Sequence, residues 1–482
     1  MRRAILSFMI ISLAVVTHAQ VDPYVYVLTK SSHNGNSDAL EIAPPWTASR
    51  NLEQVSTDAF VRYFYGLHYV VNRSEGTIQV VNPDRFRTIR TLAVGAASTP
   101  HDILVVAPDR AYVSRYDSAL LYEIDPATGA LLDTIDLGPL ADEDGLPEMS
   151  MMALDGNHLF VQIQRIDRGV TFLPVPPSYL AVIDIRTNQL IDVDPAAHGT
   201  QGIVLTGTNP SFRMHVDAVN RRLFVSAPAQ RLDTSGGIEE IDLDSLQSLG
   251  FVYSEERAGI DLGGFVMFGP DGGYVIGHTD IVASSHLGVF DRDPNAPGQG
   301  EIYTSLYEHN DRLAYDAATG QVFYPDPTAS PPGIHVFDTM TDTRLTETPV
   351  ATGKPPADVV VAREITPGEA GDLRVTGIDR ASGEIALTYR QACGATNHNI
   401  VFGPLQDVGS YVYSGQICGI GASGSLSAFN PGSGSFFFLV VGADGGGREG
   451  SYGLASGDME RPVDLLDPSC GFTQDLTARC DP

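Results

Sequence analysis

Four aspartates of this chain stand at the head of short apolar runs: Asp58 before Ala59-Phe60-Val61, Asp102 before Ile103-Leu104-Val105, Asp311 just before Leu313-Ala314, and Asp358 before Val359-Val360-Val361. Carboxylates gathered at one end of a shared channel repel one another, which raises some of their pKa values and favours a cation between them. Oxygen ligands suit a hard ion, so Ca²⁺ or another divalent cation is the expected occupant. The alternative is a set of strand-capping acids around water. His101, Met151, Met214, His215 and His309 fall at neighbouring positions and admit a softer metal as a further reading.

Several other chemistries are excluded by missing motifs. No G-x-S-x-G, H-E-x-x-H, P-loop or C-x-x-C-H string occurs, which removes serine-elbow hydrolases, zincins, P-loop NTPases and c-type haem. Gly419-Ile420-Gly421-Ala422-Ser423-Gly424 matches a dinucleotide fingerprint by letter, but no helical pattern follows, and the expectation is a turn between strands. Asp291-Arg292-Asp293 opens like a calcium loop, yet Ala296 and Ile302 replace the Gly and Glu that an EF-hand requires. Asp142-Glu143-Asp144-Gly145 reads as a solvated loop.

These residues need a scaffold, and the composition limits which one. The 482 residues include 49 Gly and 31 Pro, are 43% hydrophobic and carry a net charge of -29. That pattern favours short strands and turns over long helices. The acidic field opposes nucleic-acid phosphates and anionic lipid, so neither is an expected partner. Residues 1-19 read as a signal peptide: Arg2 and Arg3, then about 13 apolar residues, then a small-residue cleavage site before Gln20. No other stretch reaches transmembrane length. The expected product is exported, to the periplasm or the cell exterior. Cys393, Cys418, Cys470 and Cys480 cluster near the C-terminus, and an even count in an exported chain reads as two disulfides. Short loops favour Cys393 with Cys418 and Cys470 with Cys480; a four-sulfur zinc site lacks the usual C-x-x-C spacing.

The cysteine-free region carries a degenerate repeat. A short apolar run closing on Asp or Asn recurs at Val80-Val81-Asn82, Glu123-Ile124-Asp125, Val182-Ile183-Asp184, Glu240-Ile241-Asp242, Val289-Phe290-Asp291 and Val336-Phe337-Asp338, with a worn copy at Leu40 to Ala43. Each is preceded by another strand-like run such as Tyr112-Val113-Ser114 and followed by a turn such as Pro126-Ala127-Thr128-Gly129. Spacings of about 39 to 59 residues fit four strands per repeat, the signature of propeller blades. The Asp is expected to accept turn N–H groups. Tyr-Val followed by apolar-apolar-Asp-x-x-Thr resembles the YVTN (YVTN/WD40-like repeat) β-propellers over roughly residues 24 to 362. The resemblance implies an all-β fold, a seven-bladed β-propeller spanning 20-363. Ala357 to Val361 reads as a lone strand that closes the ring beside Tyr24 to Leu28.

After a linker at 364-371, about seven short strands, including Tyr411 to Tyr413 and Ser451 to Gly453, suit a small C-terminal β-sandwich over 372-463. Their order resembles a fibronectin type III module, with Tyr389 where that family places a core Trp. Residues 464-482 are a tail stapled by the second disulfide. Two function classes stay open. One is a binding protein whose propeller face recognises a protein, polysaccharide or small-molecule ligand. The other is a lactonase-like propeller hydrolase with a metal-activated water in the central channel.

Overall fold

The computed structural model describes residues 23–83, 85–95, 97–107, 109–169, 171–197, 199–230, 233–279, 284–306, 312–363, 370–379, 382–392, 394–421, 423–443, 448–452, 461 and 473–474. The leader at 1-19, His309, Asp311, Cys393, Cys470, Cys480, most of the linker and most of the tail lie outside the described residues.

The chain is all-β and propeller-like. Between Tyr24 and Ala362 it forms seven antiparallel sheets of four or five strands, among the described residues, each built from sequential neighbours. The exception is the sheet that joins the two ends of this region. There Pro356–Ala362 pairs with Tyr24–Lys30, matching Tyr24 to Ala362 and Val27 to Val359. The expected closing strand is therefore in place, and the edge of Tyr24–Lys30 is covered.

One position shows why these sequences repeat as sheets. The second strand of every sheet centres on an aromatic ring: Tyr26, Tyr69, Tyr112, Phe160, Phe224, Tyr274 and Phe323, all at most 3% exposed. Valine follows six of the seven, and the second strand is buried on both faces and packs against the adjacent sheets. Their partners on the first strands are Val360, Arg62, Leu104, Ala153, His215, Val266 and Ala314. First strands of neighbouring sheets approach one another and form the inner edge of the assembly.

The recurring Asp sits where the sequence suggests. Asp242 Oδ1 accepts N–H bonds from Asp244 at 3.1 Å and Ser245 at 2.8 Å, and Asp338 Oδ1 accepts from Met340 and Thr341, both at 2.9 Å. The same turn ends in the left-handed region four residues later, at Gly129, Asn188, Leu246 and Asp342. Glycine suits that conformation best, and Asn tolerates it.

In the C-terminal region one sheet holds Gly371–Asp379, Glu384–Arg390 and Ser425–Phe429. A second is built around Asn397–Pro404 and Phe436–Ala443. Leu387, Tyr389, Ile400, Phe429 and Val440 from both sheets share one core, with Tyr389 5% exposed. Two expected strands are absent: Tyr411 to Tyr413 lies in a turn and loop, with Tyr411 at φ 50°, and Ser451-Tyr452 is not strand. Their aromatic residues drew that expectation, but Tyr413 and Tyr452 are buried in a side core without joining a ladder. Gly419, Gly421 and Gly424, all at positive φ, lie in the connection before Ser425–Phe429.

Candidate functional site

The registers define one layer at the inner edge. Two residues before each partner of the central aromatic stand Asp358, Phe60, Asp102, Met151, Arg213, Gly264 and Arg312. This layer holds two acids and two arginines. Asp58 lies two residues before its layer position, so the expected alignment slips on that strand, and Asp311 lies outside the described residues. Short apolar runs lack an internal marker for such a slip; the central aromatic supplies one.

Asp102 and Asp358 perform the same task on different strands. Each carboxylate accepts the N–H of its own following residue, Ile103 or Val359, at 2.9 Å. Each also accepts an N–H from the first strand of the next sheet: Met152 to Asp102 at 2.8 Å, and Val61 to Asp358 at 2.9 Å. A guanidinium completes each set. Arg62 bonds both oxygens of Asp102, at 2.8 and 2.5 Å, and Arg213 reaches Asp358 at 2.8 Å. Arg213 also donates to the Val61 and Val359 carbonyls, both at 2.8 Å, and so ties three strands together. Burial opposes the Arg62 charge, but Asp102 outweighs it and its pKa is raised; at Arg213 burial prevails over Asp358 and its pKa is lowered. A cavity of about 10 Å³ remains between Arg213, Gly264, Phe265, Arg312 and Leu313, room for about one water.

Asp58 is apart from this network, half-exposed and 3.3 Å from Arg73. Among the described residues no group of three or more His, Cys, Asp or Glu side chains stands together as a metal cage. Met151 Sδ is 4.0 Å from Arg62 Nη2, while Met214 packs in an apolar core and burial lowers the pKa of His215. The Asp291 and Asp142 loops spend their carboxylates on their own turn N–H groups.

Above the layer lies a cationic and aromatic cluster. Each first strand begins where a second strand ends, so His101, Phe212 and Arg312 share one end of the sheets with Arg73, Tyr116 and Arg168, which follow second strands. The Phe60 ring has the Arg312 guanidinium 4.1 Å from its centroid and that of Arg73 at 5.3 Å. His101 meets Phe60 edge-on at 5.8 Å and Tyr116 at 5.0 Å, and Arg168 lies 4.6 Å from the Tyr116 ring. His101 Nδ1 is 3.1 Å from Ser150 Oγ, whereas Nε2 has no hydrogen-bond partner among the described residues. Burial first, then the positive fields of Arg73 and Arg312, push its pKa well below the usual histidine range. Arg168 in turn pairs with Glu148 at 2.9 Å and with Asp117. The sequence carried Phe60, Arg73, Arg312 and Arg168 only as scattered residues; their grouping depends on register.

No family model and no curated protein matches the sequence. Solved structures do resemble the fold. A protein from Lactobacillus plantarum aligns at TM-score 0.50 and 12% identity, covering 71% of this chain and 100% of that one. A candidate 6-phosphogluconolactonase from Bacteroides fragilis aligns at 0.46 and 12%, covering 71% and 98%. Kuenenia stuttgartiensis hydrazine synthase aligns at 0.45 and 13%, covering 64% and 91%. The likeness is one of fold.

The opposite end of the sheets faces the C-terminal region. A groove of about 530 Å³ is lined there by Val106, Asp109, Arg110 and Ile185 on one side and Gln391, Thr396 and Ser423 on the other. Arg110 is already engaged, with Glu123, the Tyr112 hydroxyl at 2.6 Å and Asn188 at 3.0 Å. Cys418 is disulfide-bonded, and the other cysteines lie outside the described residues.

Proposed function

We propose that this is an exported binding protein. In this reading residues 20-363 close as a seven-bladed β-propeller, 372-463 are a fibronectin type III-like spacer held by the Cys393–Cys418 disulfide, and the propeller face around Phe60 takes an anionic ligand. One observation carries it: in a chain of net charge -29, two guanidiniums lie over the Phe60 ring beside a histidine that their field helps keep neutral. Arginine over an aromatic face is weakly hydrated and presents a rigid donor fork, which suits carboxylate, sulfate or phosphate groups carried on a ring. An acidic polysaccharide or small acidic metabolite fits this chemistry, and binding is expected to weaken with salt.

The divalent cation expected at the axis gives way, in this proposal, to Arg62 and Arg213 as counter-charges. Asp102 and Asp358 already accept four and three donors respectively, so their lone pairs serve the scaffold. The metal-water hydrolase alternative then has no axial ion to act through.

The test is calorimetric titration with a panel of acidic and neutral glycans and small anions. Binding of acidic members alone, weakened about tenfold or more by Arg312→Gln, supports the reading; equal binding of neutral members, or indifference to Arg312→Gln and Arg73→Gln, refutes it. The same protein is assayed with lactones with and without Ca²⁺, where metal-dependent turnover would establish the hydrolase instead.

A further inference from the structure

On the outer two strands of the sixth sheet, neither of which carries the residues around Phe60, three side chains stand in a relay. Ser284 and His286 are two apart on the strand Ser284–Asp291, so both project from the same side. Glu301 comes from the adjoining strand Gly300–Leu306. A bulge between Leu287 and Gly288 shifts the register and sets Glu301 opposite Gly288; bulges re-aim side chains in this way. Ser284 Oγ lies 2.8 Å from His286 Nε2, and His286 Nδ1 lies 2.6 Å from Glu301 Oε2.

We propose that Ser284, His286 and Glu301 form a nucleophile, base and positioning carboxylate for acyl transfer from small esters. The criterion is geometric: a hydroxyl within hydrogen-bond reach of a base, and that base oriented by a third group through its other nitrogen. Both conditions are met. Two threonines complete the surroundings. Thr304 donates to Glu301 Oε1, fixing the carboxylate, and this bond together with His286 holds Glu301 below the usual carboxylate range. Thr279 Oγ1 lies 3.4 Å from Ser284 Oγ and 3.3 Å from His286 Nε2, placed to donate to an oxyanion forming at the attacked carbon. Leu306, paired with Ser284 and 64% exposed, offers an apolar contact for a short acyl chain.

The chemistry balances within these groups and water. Ser284 Oγ attacks the ester carbonyl carbon and its proton passes to His286 Nε2. The tetrahedral intermediate collapses with cleavage of the C–O bond, and the leaving alkoxide takes that proton from His286. Water, deprotonated by His286, then cleaves the acyl-serine, releasing the carboxylic acid and restoring the Ser284 hydroxyl. The side chains stay open to solvent, 16% exposed at His286 and 52% at Glu301, so water is not excluded and the fitting substrates are small and activated.

The experiment treats the full chain with a fluorophosphonate, in which the Ser284 Oγ–P bond forms, the P–F bond breaks and fluoride departs, and maps the adduct by mass spectrometry. p-Nitrophenyl acetate hydrolysis is followed in parallel. The expected result is an adduct on Ser284 that Ser284→Ala abolishes and His286→Ala slows by about 10²- to 10⁴-fold. Glu301→Gln should lower kcat with KM little changed, since a positioning residue acts through His286. Circular dichroism melts show whether each variant is folded, and Ser284→Thr supplies a second, conservative test of the nucleophile. Absence of an adduct on Ser284 in folded protein under conditions that label a serine esterase overturns the proposal. So does labelling that His286→Ala leaves at the parent rate.

Discussion

Arg213 and Asp358 lie 145 residues apart in sequence and meet at 2.8 Å at the inner edge of the sheets. The contact joins the strand that closes the ring to a sheet on the far side of it. The same carboxylate oxygen receives the Val61 N–H at 2.9 Å, so one atom holds a neighbouring strand and a distant one together. The pair is a long-range brace between sheets that are not neighbours. Asp102 with Arg62 repeats the arrangement one sheet apart.

Removing one member of such a pair leaves a charge with little solvent to receive it. Asp358→Ala should destabilise the protein by about 3–5 kcal/mol. The double variant Arg213→Met, Asp358→Leu should recover part of that loss, because no unpaired guanidinium remains. It should not recover all, since the Val61 N–H loses its acceptor, at a cost of about 1–3 kcal/mol. Urea unfolding of the parent, both singles and the double gives the coupling directly; additive losses would show that the pair contributes nothing as a pair.

His68 supplies a pH dependence with a defined sign. It is fully buried, stacked on Tyr26 at 3.9 Å and bonded through Nε2 to the Tyr24 hydroxyl. Burial lowers its pKa from 6.5 to about 3. Above pH 6.5 both folded and unfolded chains carry it neutral and stability is unaffected. Below pH 6.5 the unfolded chain binds a proton that the folded chain refuses, so stability falls down to about pH 3, with a limiting slope of about 1.4 kcal/mol per pH unit. Denaturation midpoints measured between pH 7.5 and 4.5 should decline less steeply in His68→Phe than in the parent.

The repeated sheets were readable in the sequence because their signals are local. An apolar pair followed by Asp marks the third strand and its turn, and Asp242 and Asp338 make the turn bonds that the residue type predicts. Ring closure followed from phase, since Pro356–Ala362 had no partner of its own. The inner layer was only half readable. Asp102 and Asp358 stand in the layer, Asp58 was assigned by a pattern that tolerates a slip of one or two residues, and Asp311 lies outside the described residues. Arg62, Arg213 and Arg312 gave no sequence signal, because their partners come from other sheets. The Ser284–His286–Glu301 relay escaped for a similar reason: a cross-strand pair shifted by a bulge has no fixed spacing.

The turn aspartates should be separable from the charged layer. Asp242 Oδ1 bonds two backbone N–H groups and the Ser245 hydroxyl, at 3.0 Å, and these bonds draw its pKa below the ordinary value. Asp242→Ala should cost about 1–2 kcal/mol, whereas Asp242→Asn, which keeps an acceptor, should cost well under half of that. Thermal melts of the two variants decide it; equal losses would assign the effect to charge rather than to the turn.

The closing strand offers the most severe test of the architecture. Val359 is fully buried, and the segment around it pairs with Tyr24–Lys30 over six registered positions. It also carries Asp358, the acceptor for both Val61 and Arg213. Deleting residues 355–363 would therefore uncover the edge of Tyr24–Lys30, leave the Val61 N–H without its carboxylate, and strip Arg213 of its counter-charge. Each loss is non-local, so the consequence should spread through all the sheets and not remain at one. The deletion variant is expected to unfold at a lower temperature in a broader transition, with slower-exchanging amides lost from the second strands of every sheet, and to associate through the exposed edge. Calorimetry and hydrogen exchange measure both. Were the deletion confined in its effect to the first sheet, with the remaining sheets exchanging as in the parent, the sheets would be independent units stacked in a row, and the brace between Arg213 and Asp358 would be incidental to their stability.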